Sequence, residues 1–269
     1  MPVIRSLCCL LCLYLGQVAH ASAADAAWNL PTSERLMFSI RWSRLAVVDA
    51  SFVLEPPTEG LTGPIQTLTV EAWTKSLPSR IYRVENHYET IIDLATGLPV
   101  RYAKRCDEAR FQEHSATTYA QAEGWRRYTS KTPPSETTQE LLGPTHNLFS
   151  ALYFLRQHNF RTQVPVRFLL DAKGASWQAE ARRRRNLRTK HGFVWEVAVR
   201  FTMIDGDPTA RQSDLLTDNI VNGDHPLILH IRPPEAGTDE PPMVVHMAFR
   251  GGGFHLVADL DEDASYDPD

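Results

Sequence analysis

Thr145-His-Asn-Leu-Phe-Ser-Ala-Leu-Tyr-Phe-Leu-Arg-Gln-His158 is the one window of the chain whose apolar residues repeat with helical spacing. Leu148, Leu152 and Leu155 fall at i, i+4 and i+7, with Phe149, Tyr153 and Arg156 beside them. The stripe is broader than a surface helix needs. Asn147 is placed to cap the first turn by accepting from its free amides. Pro144 upstream disfavours helical backbone at Gly143 and so sets the start. Around this window nearly everything alternates with period two. One apolar helix among many strands predicts a mainly antiparallel β fold. Its curved, open sheet or half-barrel would carry one prominent helix packed on the concave face.

The chain has 269 residues, 43% hydrophobic and 22% charged, enough to bury a core. Its first residues read as a secretory leader. Arg5 precedes an apolar run from Leu7 to Leu15, followed by Gln17-Val-Ala-His-Ala-Ser-Ala-Ala24 with small residues at cleavage spacing. The run is too short to span a bilayer. Cleavage after Ala21 and cleavage after Ala23 both fit. The expected organisation is a leader over 1–23, one β-rich domain over 24–260 and an acidic, disordered tail over 261–269. Cys8, Cys9 and Cys12 leave with the leader, so Cys106 is the sole cysteine of the mature chain and no internal disulfide can form. Export without disulfides points to the periplasm. Removing Arg5 takes the formal charge from −4 to −5, and six of the last eleven residues are acidic. The rest of the chain is near neutral, which gives a nucleic-acid partner no electrostatic support.

Alternation predicts strands over 35–42, 47–54, 65–74, 81–93, 99–111 and 113–122, with a short one near Tyr128 and a polar loop over 131–138. After the helix it predicts 164–171 and 175–185, turned at Ala172-Lys-Gly174, then 193–202, 226–232, 243–250 and 254–260. Gly97 is expected in a hairpin-type connection that needs positive φ.

With these elements in order, the chain resembles an exported bacterial family, the domain of unknown function 3108. Glu34-Arg-Leu-Met-Phe-Ser-Ile-Arg-Trp42 and Ala50-Ser-Phe-Val-Leu54 are similar to its opening. Tyr82-Arg-Val-Glu-Asn86 with Ile92-Asp-Leu-Ala-Thr-Gly-Leu-Pro99 is similar to its second hairpin. Asn147 to Arg156 resembles its helix, and Val194-Trp-Glu-Val-Ala198 through Asp214-Leu-Leu-Thr-Asp218 and Pro226 resembles its closing part. The family has no assigned catalytic residues to carry over. The resemblance implies a shape similar to the half-open β-barrels of periplasmic lipoprotein carriers, an analogy of fold only.

Three constellations are candidates for function. Trp42, Phe52, Trp73, Phe149, Tyr153 and Phe154 are expected to line an apolar groove for an acyl chain or hydrophobic peptide, or else to fill the core. His230, His246 and His255 lie on the last three strands, opposite the apolar residues. A turn pairing Phe249 with Phe254 would set His246 diagonal to His255, a conceivable zinc or copper set; three polar positions on a solvated sheet face are the plainer reading, and no metal is assigned. Arg182-Arg-Arg-Arg185, with Arg188 and Lys190, is the one basic run, where a hairpin loop is expected and where anionic headgroups would be the partner. Cys106 has no nucleophile motif around it, and Ser150 lies outside any Gly-x-Ser-x-Gly context. No catalytic residue and no cofactor is expected. The first expectation is a non-enzymatic periplasmic binding or carrier protein for a lipid or lipoprotein-like ligand. The second is an envelope-assembly or scaffold protein that binds partner proteins along an exposed sheet edge.

Overall fold

The computed structural model describes residues 31–75, 82–207, 213–221, 223–235, 237–238, 240–251 and 254–262. The leader, the Leu77-Pro78-Ser79 break and residues 263–269 of the acidic tail lie outside that set. The strands are β1 (Glu34–Trp42), β2 (Leu45–Leu54), β3 (Thr58–Glu59), β4 (Pro64–Thr74), β5 (Val84–Asp93), β6 (Pro99–Glu108), β7 (Phe111–Ala120), β8 (Trp125–Thr132), β9 (Pro134–Glu140) and β10 (Thr145–His146). Helix α1 (Leu148–Gln157) follows, then β11 (Val166–Ala172), β12 (Ala175–Thr189) and β13 (Gly192–Asp205). A second helix, α2 (Leu215–Ile220), precedes β14 (Leu227–Arg232), β15 (Met243–Gly251) and β16 (Phe254–Leu260).

These strands form one sheet. Its hydrogen-bonded path runs from β10 through β11–β16 to β1, β2, and β4–β9, with β3 paired to β4 at the side. Neighbours are antiparallel except β10 and β11. Alternation sorts one face inward: Phe38 and Ile40 face Leu260 and Ala258, and Phe52 faces Leu36 and Val70. Gly97 takes φ +71° in the predicted connection, and Lys173 and Gly174 take φ +58° and +73° at the turn between β11 and β12.

The sheet is open: β9 and β10 end its path without pairing to each other. Side chains nevertheless bring the two margins together. Tyr119 Oη on β7 donates to Asp171 on β11 at 2.9 Å, and Arg126 on β8 pairs with the same carboxylate. Gln121 donates to the Thr145 carbonyl at 2.8 Å and accepts from its amide at 3.1 Å.

Helix α1 starts as the sequence implies. The Asn147 side chain accepts from the amides of Phe149 and Ser150, and Ser150 Oγ accepts from the Asn147 amide. Burial is nearly all round, Ser150 included. Phe149 packs among Phe52, Tyr88 and Tyr102 at 4.8–6.2 Å between ring centroids, so this one side chain touches β2, β5 and β6. Tyr153 and Arg156 reach Glu34 on β1, and Phe154 meets Phe168 on β11.

His146, just before α1, is buried against Phe154 and Phe168, and burial pushes its imidazole down to about 3. The neutral ring therefore favours the fold above the unfolded-state value of about 6.5. Below that pH the unfolded chain takes the proton first, and stability declines by up to about 1.4 kcal/mol per pH unit. Denaturant titrations from neutrality to mild acid should show this slope, and His146→Phe should flatten it.

Three sequence expectations need correction. The polar loop over 131–138 is the hairpin of β8 and β9. A sheet margin tolerates proline at its first residue and needs no apolar face, so Pro134-Ser-Glu-Thr-Thr-Gln-Glu140 forms a strand that alternation cannot reveal. The arginine run is not a hairpin loop but the middle of the 15-residue β12. The β15–β16 register pairs Phe249 with Leu256, two residues from the expected partner, because the ladder continues to Gly251 and Phe254.

Candidate functional site

The inner face changes character between β5 and β8. Beyond the apolar β1, β2 and β4, the inward row reads Asn86 and Tyr88 on β5, then Tyr102, Lys104, Cys106 and Glu108 on β6. Glu113, Ser115 and Thr117 follow on β7, and Arg126 and Tyr128 on β8. Register makes them one surface, since Tyr88 pairs with Lys104, Lys104 with Ser115, and Cys106 with Glu113.

Helix α2 brings the missing charge. Its cap, Asp214, is fully buried, and the carboxylate accepts from the Thr217 amide at 3.0 Å and the Thr217 hydroxyl at 2.9 Å. The same group accepts from Tyr88 Oη at 2.8 Å and lies 3.4 Å from Lys104 Nζ. Lys104 also pairs with Glu113, which accepts from Ser115 at 2.6 Å and from Tyr128 at 2.9 Å. Glu108 accepts from Asn86 and from the Leu215 amide. Thus α2 is bonded through its first residues to β5 and β6 while its backbone lies close to β15.

The electrostatics follow from the geometry. Burial alone would raise the Asp214 carboxyl, but Lys104, Thr217 and Tyr88 together hold it below its ordinary value. Burial would neutralise Lys104, yet Asp214 and Glu113 raise its ammonium above the usual lysine range. Burial, reinforced by Asp214, pushes the Cys106 thiol well up. A firmly protonated amine and a firmly protonated thiol are poor nucleophiles. Cys106 should therefore resist iodoacetamide in the native protein and react once denaturant is added; modification of the folded protein would contradict this burial.

Where β7–β9 meet the β11–β12 turn, these groups line a polar cavity of about 60 Å³. Its walls include Lys104, Glu113, Arg126, Asp171, Lys173 and Ser213, with Gln139 from β9 at its edge. Ser213 Oγ is buried there with no hydrogen-bond partner among the described residues. The volume suits a few waters or one small polar side chain.

The expected aromatic set does not converge. Phe52, Phe149 and Tyr153 are buried within the core, and Phe154 packs on His146 and Phe168. Trp73 lies on the opposite face of β4 from Leu68, Val70 and Ala72, and Trp42 is 50% exposed at the end of β1.

The histidines divide. His230 and His246 pair in register and stack with ring centroids 4.3 Å apart. His246 Nδ1 lies 2.6 Å from Asp259, and His230 lies 3.7 Å from Glu196. His255 is exposed and pairs with Arg250, away from the stack. Among the described residues no group of three or more histidine, cysteine or acidic side chains is arranged to hold a metal. No described helix is long and apolar enough to cross a membrane.

Lys104, Glu113 and Asp214 were not singled out from the sequence. The available signal was parity, because Lys104 shares its phase with Tyr102 and Cys106 while Arg101 and Arg105 alternate outward.

The chain belongs to the family described as "Protein of unknown function (DUF3108)", whose model matches residues 37–220, from within β1 to the end of α2. A comparison with curated proteins finds no match. Among solved structures the chain is similar to a beta-barrel-like protein of domain of unknown function DUF1849 from Brucella abortus. The TM-score is 0.50 at 11% identity, over 86% of this chain and 96% of that one. At that identity the likeness concerns the fold alone.

Proposed function

We propose, taking membership of this family of unknown function as the premise, that the protein is an exported, non-enzymatic binding protein of the cell envelope. It takes an extended segment of a partner polypeptide along β9. The observation that carries this reading is the open margin itself. β9 is a solvent-exposed strand of seven residues with β8 on one side and, among the described residues, no strand on the other. A strand laid along such a margin gains main-chain hydrogen bonds, and pockets beside it select alternate side chains. Gln139, the least exposed residue of β9, borders the polar cavity, which would receive one polar side chain of the guest.

Two further considerations support a binding role in the periplasm. Lys104 and Cys106 are held protonated in the interior, which is in keeping with a binding role. The basic, apolar and small-residue order of residues 1–24 suits a cleaved leader, which N-terminal sequencing of the envelope fraction would detect. An acyl chain in the interior would have to displace Phe149 from Phe52, Tyr88 and Tyr102, and α1 with it. The carrier reading therefore requires α1 to move off the concave face that it would otherwise seal.

Adjacent residues of an edge strand direct their amides to opposite sides, one to β8 and the next outward. Thr138→Pro and Gln139→Pro should accordingly differ. One should weaken the β8–β9 ladder, while the other should leave the melting temperature nearly unchanged and abolish crosslinking of a partner polypeptide from β9 in living cells. Crosslinks indifferent to both substitutions, or to lipid alone, would sink the proposal.

A further inference from the structure

Four consecutive arginines on a regular strand would be shared between two faces. In β12 three of the four share one face, and only Arg183 pairs with an inward residue, Val197. Arg183 pairs with Val197 and Arg185 with Glu196, so Arg184 is an inserted residue and the strand carries a β-bulge there. A bulge breaks the ladder locally and re-aims side chains. Here it puts Arg184 and Arg185 on the same carboxylate: Arg185 makes a two-pronged contact with Glu196 at 3.1 Å, and Arg184 lies 3.4 Å from it. Arg182, one step before the bulge, shares that outward face, as does Arg200 on β13.

The result is an outer-face groove of about 370 Å³, lined by Arg182, Arg184 and Arg200 with Ala198 and Pro226. Glu180, its one acidic wall, is held by Arg167 at 2.7 Å. Five guanidiniums (Arg167, Arg182, Arg184, Arg185, Arg200) thus face two carboxylates, in a chain whose formal charge is −4.

We propose that this groove binds the phosphate of a lipid headgroup and holds the outer face of β12 and β13 against an anionic membrane surface. Guanidinium forks match phosphate oxygens in pairs, which lysines would not do with the same directionality. The volume falls in the range of about 300–1,000 Å³ typical of small-molecule sites, larger than a bare phosphate needs. Several guanidiniums gathered along one open outer-face groove suit a headgroup at an anionic surface better than a single free ion. This site is independent of the β9 margin.

Flotation of the full mature chain with vesicles tests it. Binding is expected to phosphatidylcholine vesicles containing phosphatidylglycerol and not to phosphatidylcholine alone. Arg182→Glu/Arg200→Glu should weaken it by about tenfold or more, whereas Arg110→Glu, at the exposed turn between β6 and β7, should leave it nearly intact. Should the charge-reversed chain fail to fold, Arg182→Gln/Arg200→Gln should weaken binding in the same direction by a smaller factor, and unchanged binding in that variant would overturn the site. Equal loss in the Arg110 variant would mean unspecific attraction and overturn it as well. So would binding to neutral vesicles, no binding to either kind, or saturation by inorganic phosphate without any vesicle binding.

Discussion

Replacing Asp214 by alanine should lower the melting temperature by on the order of 10 °C. Four groups lose this partner at once: the first-turn amide and hydroxyl of Thr217, the Tyr88 hydroxyl and the Lys104 ammonium. Losing a helix cap costs about 0.5–2 kcal/mol. Breaking a buried pair by removing one partner costs about 3–5 kcal/mol, because a charge stays behind in a medium that solvates it poorly. Glu113 still neutralises Lys104, which keeps the total toward the lower end. For a chain of this size about 1 kcal/mol corresponds to roughly 2–4 °C. Asp214→Asn separates the terms, since the amide oxygen can still cap Thr217 while the charge is lost, and an intermediate melting temperature is expected. The pH dependence has a definite sign. The carboxyl is depressed in the folded state, so its contribution is complete above the unfolded value of about 3.9 and shrinks as pH falls through the folded one. Wild type and Asp214→Asn should therefore converge in acid and diverge toward neutrality. Parallel curves would show that the charge of Asp214 is not what holds α2.

The elements that sequence reveals are those whose burial leaves a periodic trace. Leu148, Leu152 and Leu155 repeat with the pitch of a helix, and Asn147 caps it where the pattern begins. β14 alternates buried and half-buried residues from end to end, and β4 does so from Ile65 to Trp73. Helix α2 escaped because six residues are too few to repeat; its legible sign was Asp214 three places before Thr217, a capping spacing that also occurs in turns. β9 escaped because a marginal strand with both faces wet has nothing to alternate. The arginine bulge escaped for a related reason: period-two counting has no symbol for one inserted residue, and only the bulge lets both Arg184 and Arg185 reach Glu196.

The candidate site was harder still. Lys104, Glu113 and Glu108 look like solvent-facing residues because charge usually marks the wet face. What turns them inward is register, which gives them the parity of Tyr88 and Cys106, and α2, which supplies Asp214 from more than a hundred residues away. No local window contains that information. The aromatic candidates divide along the two alternatives their composition leaves open, lining a groove or filling the core. Phe52, Phe149 and Tyr153 are buried in one core cluster, while Trp42 is half exposed and Trp73 lies on the other face of β4.

Glu34→Ala should be among the most damaging single changes in the chain. Arg156, in the last turn of α1 and almost wholly buried, presents both terminal nitrogens to the Glu34 carboxylate, with Nη2 at 2.6 Å from Oε1. Its Nε donates to the Pro242 carbonyl at 2.7 Å, and its plane lies 4.7 Å from the centre of the Tyr153 ring, whose hydroxyl donates to the same carboxylate at 3.0 Å. One carboxylate thus ties the end of α1 to β1, while the guanidinium joins it to the segment entering β15. Removing the carboxylate leaves a guanidinium that cannot lose its proton, and the expected cost is about 3–5 kcal/mol. Native-state hydrogen exchange should then show the amides of α1 opening before those of β4 and β5, because the helix loses its anchor while the sheet keeps its ladder. Glu34→Met/Arg156→Met removes both charges and keeps the volume. It should be more stable than either single variant, since no uncompensated charge remains inside. If Glu34→Ala costs less than about 1 kcal/mol, as for a solvated surface pair, then Arg156 reaches water and α1 is free to leave the strands it packs against. In that event the carrier reading, which needs such a movement, would displace the margin-binding one.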